Sequence, residues 1–132
     1  MKTDVSAIFD INIVGDNSGN PYNGTFKVRT LLTRRQVALA DEMRRSILGP
    51  SPEGATARVA MDAFVSGQLY VRVLEAPEWF KNSGQGGIDL PDINVLEEIF
   101  SKAIDSENAR RSALLKESDQ AATALKEKEE KK

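Results

Sequence analysis

The chain has 132 residues, 40% of them hydrophobic, and a formal net charge of −2. That length fits one domain with a modest core, and the near-neutral balance gives no general attraction to nucleic acid or anionic lipid. Cysteine and histidine are both absent, which removes disulfides, thiol nucleophiles, thiolate metal sites and the commonest general base and metal ligand near neutral pH. No apolar run approaches the roughly 18–20 residues that span a bilayer. Residues 1–6 carry no apolar signal region, so the expectation is a protein made and used in the cytoplasm.

The first predicted element is a strand. Phe9, Ile11 and Ile13 alternate with Asp10 and Asn12, the period-two pattern of a half-buried strand. Ile8 and Val14 fall on the polar side, which predicts that this face is partly covered. Residues 15–24 are a dense run of Gly, Asn, Asp, Ser and Pro, the residues of a turn. Alternation resumes over Thr25–Leu31, with Phe26 and Val28 on one face and Lys27 and Arg29 on the other. The simplest joining is an antiparallel hairpin with a long loop. A hairpin alone is marginally stable, so it needs a helix or a neighbouring chain to pack on.

Thr33 with Gln36 three residues on has the spacing of a capping box. Val37, Ala40, Met43, Ile47 and Leu48 follow at helical intervals, and Gly49-Pro50 stops the helix. Ser51 and Pro52 read as the cap and first turn of a second helix. Its stripe of Ala57, Ala60, Met61, Phe64, Val71 and Leu74 is wide, which predicts a central helix. Gly67 in its middle costs about 1 kcal/mol of helix propensity relative to Ala, so a close helix approach is expected there. A third helix starts near Asp92, with Val95, Leu96, Ile99, Phe100, Ala103 and Ile104 as its stripe. Beyond Lys116 the chain is mostly Lys, Glu and Ala and offers little to bury.

The expected fold is therefore α+β: an N-terminal β-hairpin (5–31) followed by a three-helix body (about 34–48, 53–75 and 92–115) with a long charged C-terminal helix. Residues 1–115 form one domain and 116–132 a charged helical or frayed tail. The expected core is Phe9, Ile11, Phe26, Val28, Met43, Phe64, Val71, Leu74, Ile99 and Phe100.

Few residues offer chemistry. Asp16-Asn17-Ser18-Gly19-Asn20 places oxygen ligands near a Gly but lacks the alternating acids and closing Glu of a calcium loop, so it reads as a polar turn. Glu75, Glu78, Asp89 and Asp92 surround the centre of the chain, but paired-carboxylate catalysis needs a fixed separation and split pKa values. Asp92 reads better as a helix cap and Asp89 as a turn residue. Arg34, Arg35, Arg44, Arg45, Arg110 and Arg111 form three pairs, and the intervening Asp41 and Glu42 break any basic stripe. Asp41 and Arg45 have the i,i+4 spacing of a surface ion pair. No catalytic, cofactor-binding or metal-binding residue is assigned, and the chain reads as a non-enzyme.

The partner-binding candidates are Trp79 and Phe80, which follow the helix-stopping Pro77, with Gly84, Gly86 and Gly87 of the spacer after them. Aromatic residues at a corner beside a flexible segment are typical interface anchors; core packing is the competing reading. This corner, with the helix ending in Ala76-Pro77-Glu78-Trp79-Phe80 and the re-entry through Asp89-Leu90-Pro91-Asp92, resembles small proteins of tailed-bacteriophage structural gene clusters. The family it is most similar to is the lambda-type tail assembly chaperone, over roughly residues 24–104. The resemblance implies a small, cytoplasmic, non-enzymatic morphogenesis protein that binds the tape-measure protein and recruits tail-tube subunits. An alternative is a permanent virion component, a head, neck or tail accessory protein. A second alternative, a small nucleic-acid-binding module, rests on the Arg pairs alone. A homo-oligomer stays open.

Overall fold

The computed structural model describes residues 6–49 and 56–130, with side chains as far as Leu125. Strand β1 (Ser6–Val14) pairs antiparallel with β2 (Pro21–Arg29), Phe9 opposite Phe26 and Ile13 opposite Tyr22. The alternation works as read: Ile11 and Phe26 are buried, and Phe9 and Ile13 are half-buried against the same core. The other face is open rather than partly covered, with Ile8 and Val14 both exposed. The architecture is α+β, a hairpin followed by helices and a long C-terminal helix.

Helix α1 (Arg34–Leu48) begins with the expected capping box, the Thr33 side chain accepting from the Gln36 N–H and the Gln36 side chain accepting from the Thr33 N–H. Gly49 ends it at φ 81°. The start expected at Ser51 lies outside the described residues; helix α2 (Ala57–Arg72) is capped by Thr56, whose side chain accepts from the Val59 N–H. The sequence reading carries this helix to residue 75. Instead it stops at Arg72, and Val73–Glu75 forms a third strand, β3, antiparallel to β2 on the side away from β1. Pro77 lacks the N–H that would bond to the Val73 carbonyl in a continued helix, and a residue before proline avoids the helical region. Arg29 Nε then donates to the Val71 carbonyl and closes the helix end.

Helix α2 lies centrally, between α1 on one side and α4 (Ile93–Glu130) on the other. Its inward residues are mainly small: Ala63, Val65, Ser66 and Gly67 are buried with Leu69. At Gly67 an added Cβ would lie 2.5 Å from the Ala40 carbonyl oxygen, so α1 and α2 touch backbone to backbone there. This approach turns the bulkier stripe outward. Phe64, expected in the core, is 41% exposed, and Leu74, on β3, is 40% exposed. Met43, Phe9 and Phe100 are half-buried rather than core, whereas Ile11, Phe26, Val28, Val71 and Ile99 are buried as expected. The α2–α4 contact carries an ion pair, Arg72 Nη1 to Glu107 Oε1 at 3.1 Å, with both side chains under 10% exposed; Gln68 Oε1 accepts from Arg72 Nε.

Asp92 corrects another expectation. Its carboxylate does not serve its own helix in the way of a simple cap but reaches the β1–β2 loop. There it accepts from the backbone N–H groups of Asn17 and Ser18, the Ser18 hydroxyl and the Tyr22 hydroxyl. Asn94, two residues on, accepts from the Asp16 N–H and donates to the Val14 carbonyl. Burial raises the Asp92 pKa, but the bonds from Ser18, Tyr22 and the loop backbone outweigh it and hold the carboxyl down at about 2. The same bond raises the Tyr22 hydroxyl above its ordinary value.

Two outcomes follow. Because Asp92 ionises below its ordinary 3.8 in the folded state, its contribution is complete above that pH and is lost as pH falls from about 4 to about 2. Acid titration of the melting temperature should fall in that window, and Asp92→Asn should flatten it. Gly67→Ala, which helix propensity alone would favour, should instead destabilise by about 1–3 kcal/mol through overpacking, measured by chemical denaturation.

Candidate functional site

The corner after Pro77 is a short helix, α3 (Glu78–Lys81), followed by a turn of 3₁₀ helix over Gln85–Gly87. Phe80 is buried and meets Phe26 of β2 edge to face at 5.3 Å. Trp79 is half-buried. Its ring stands edge-on to Tyr22 at 4.9 Å and Phe26 at 5.7 Å, and its Nε1 donates to the Asn23 carbonyl at 2.8 Å. Both aromatic rings are thus turned toward the sheet, with the outer part of Trp79 left at the surface.

The Gly spacer is a folded turn rather than a flexible link. The Asp89 N–H donates to the Ser83 carbonyl and the Gly87 N–H to the Gly84 carbonyl. Gly86 and Gly87 are buried, whereas Gly84 is exposed. Gly86 sits at φ 62°, and a Cβ there would come within 2.1 Å of the Ser66 carbonyl oxygen; only glycine lets the turn lie on the α2 backbone. Of the five residues proposed for partner binding, the structure brings Phe80, Gly84 and Gly86 to one place, the wall of a surface hollow, while Trp79 faces the sheet and Gly87 packs beneath Leu96.

That hollow, of about 190 Å³, is floored by Leu69 and Val73 and rimmed by Leu74 and Lys81. A second one of about 430 Å³ adjoins it across Tyr70 and Val73, lined by Leu39 and Val71 with Arg29 and Arg35 at its edge. Tyr70 and Leu74, each at least 40% exposed, form the ridge between and beside them. Side by side they make a mainly apolar groove in two parts along β3, divided at Tyr70, with cationic side chains at its edges. Sequence reasoning missed this surface because Tyr70 and Leu74 lie in a run that fits a buried helix equally well; the signal present was Pro77, close enough to end that helix early.

The remaining candidates are dispersed. Glu75, Glu78 and Asp89 are exposed while Asp92 is buried under the hairpin loop, and among the described residues no group of three acidic side chains is arranged to hold a metal ion. Arg44 and Arg45 both bind Asp41, at 2.9 and 2.8 Å, and the bond from Arg44 lowers the Asp41 pKa. Exposed pairs of this kind contribute little to stability. Arg111 lies 3.6 Å from Glu107. No described helix is long and apolar enough to cross a membrane. No protein-family model, curated protein or solved structure matches the chain.

The turn predicts a graded response. Gly86→Ala should destabilise markedly, by about 2–4 kcal/mol from backbone strain and the clash with Ser66. Gly49→Ala, where a Cβ would meet none of the described residues within 4 Å, should cost about 1–3 kcal/mol from the backbone conformation alone, at φ 81° and ψ −166°. Parallel urea denaturation of the two variants checks the ranking.

Proposed function

We propose that this chain is a non-enzymatic morphogenesis protein of a tailed bacteriophage, a tail assembly chaperone that binds the tape-measure and tail-tube proteins in the host cytoplasm. The observation that carries the reading is the apolar groove beside the corner. Tyr70 and Leu74 stand open on it, Phe80 and the Gly turn form one wall, and Arg29, Arg35 and Lys81 stand at its edges. Exposed aromatic and aliphatic anchors around a preformed hollow are the ingredients of a protein-binding surface, and the cationic edges favour a segment that brings acidic groups. The resemblance of the corner to the lambda-type family supplies the choice of partner. In this reading the contact falls on the groove, next to Trp79 and the loop rather than on them.

A second reading, a permanent head, neck or tail component, draws support from α4, which runs for 38 residues and outlasts the body it packs on. Mass spectrometry of purified particles separates the two: a chaperone is absent from them, and a built-in subunit is present in fixed copy number. The groove itself is tested by titrating purified tape-measure and tail-tube proteins against the wild type and against Leu74→Asp and Tyr70→Ala. Both positions are exposed, so circular dichroism should be unchanged while binding weakens by about tenfold or more. Unaltered binding in folded variants would place the contact elsewhere.

A further inference from the structure

Helix α4 changes character along its length. Over its first half, Val95, Leu96, Ile99 and Ala103 are buried in the body, and Phe100 and Ile104 sit half-buried at the flank. Past Glu107 the large residues of the core face give way to Arg110, whose Nε is still buried, and to half-buried Leu114, while the flank stripe continues. At about 100° per residue, Ile104, Arg111, Leu114, Leu115, Ser118, Ala122 and Leu125 stay on one side, while Ser112, Lys116, Gln120 and Thr123 share the other. Leu115 is 65% exposed and Leu125 is 63% exposed. The stripe is continuous at its body end with Phe100, whose ring meets half-open Phe64 edge to face at 5.8 Å.

The stripe is self-complementary in one antiparallel register. Setting Ile104 against Leu125 of a second copy places Leu114 against Leu115 at a two-fold axis and Arg111 against Ser118. In an antiparallel pair, like flanks of the two helices meet. Arg110 and Glu117 lie on the same flank, so Arg110 of each copy falls beside Glu117 of the other, twice over. The overlap from 104 to 125 spans roughly 32 Å at 1.5 Å per residue, and the two bodies lie at opposite ends of it. A parallel pair would instead set Arg111 against Arg111 and bring both bodies to the same end. We infer that the chain forms a two-fold homodimer through an antiparallel α4–α4 pair, with the Leu114/Leu115 cluster at its centre and Arg110–Glu117 pairs on its flanks.

The test uses the full chain. Light scattering after gel filtration should give twice the 14.5 kDa chain mass. Leu115→Lys with Leu125→Lys, both at exposed positions, should leave the circular dichroism spectrum unchanged and return the single-chain mass, a weakening of about 100-fold or more. Glu117→Arg should weaken the dimer, and adding Arg110→Glu should restore it. Because the chain has no cysteine, orientation can be read by oxidation: Ile104→Cys with Leu125→Cys should cross-link two chains, and Leu125→Cys alone should not. A single-chain mass for the wild type up to its solubility limit, a dimer unaffected by the double Lys variant, or a cross-link through Leu125→Cys alone would each overturn the inference.

Discussion

The rest of the structure depends on how the sheet's one covered face is filled, and Phe26 is at its centre. The β1–β2 hairpin cannot hold itself together in water, and β3, which joins β2 only after α1 and α2, adds three residues to it. Phe26 is fully buried and has aromatic neighbours from three directions: Phe9 stacked across the hairpin, Phe80 edge-on from α3 and Trp79 beside it. Such pairs add roughly 0.5–1.5 kcal/mol each beyond the area they bury. The corner after Pro77 is thus first a lid on the hairpin.

Much of the secondary structure was legible. The period-two faces of Phe9–Ile13 and Phe26–Val28, the Thr33/Gln36 box and the Gly49 stop are local signals, and each works as read. β3 was not legible, because Val71-Arg72-Val73-Leu74 suits a buried helix as well as a strand. The choice was made by the bare edge of β2, more than forty positions away in the chain. Asp92 was placed correctly at a helix start, yet its partners lie in a loop that shares no pattern with it. Phe64 misled for a packing reason. Large apolar residues at helical spacing predict a core, but where backbones touch at Gly67 and Gly86 the interior admits mainly small side chains.

The same exchange of large for small explains the candidate site. With Ser66 and Gly67 in close contact with the 3₁₀ turn and α1, Phe64 and Tyr70 of the central helix stand at its margins. Tyr70 and Leu74 reach one open surface, and Phe64 and Phe100 border another. The five corner residues singled out from sequence were near the first surface but mostly form its foundation. Only the folded arrangement separates the aromatic groups that hold the corner from those left exposed.

The bond between the hairpin loop and Asp92 joins residues 74 apart, and this ties folding to the order of synthesis. When residues 6–29 leave the ribosome, the carboxylate that will occupy their loop does not yet exist, nor do the rings that will cover Phe26. Contacts of such separation form late and slowly. Until Trp79, Phe80 and Asp92 have been made, the hairpin lacks the side chains that cover its apolar face and hold its loop. The first two strands are completed only by the start of α4.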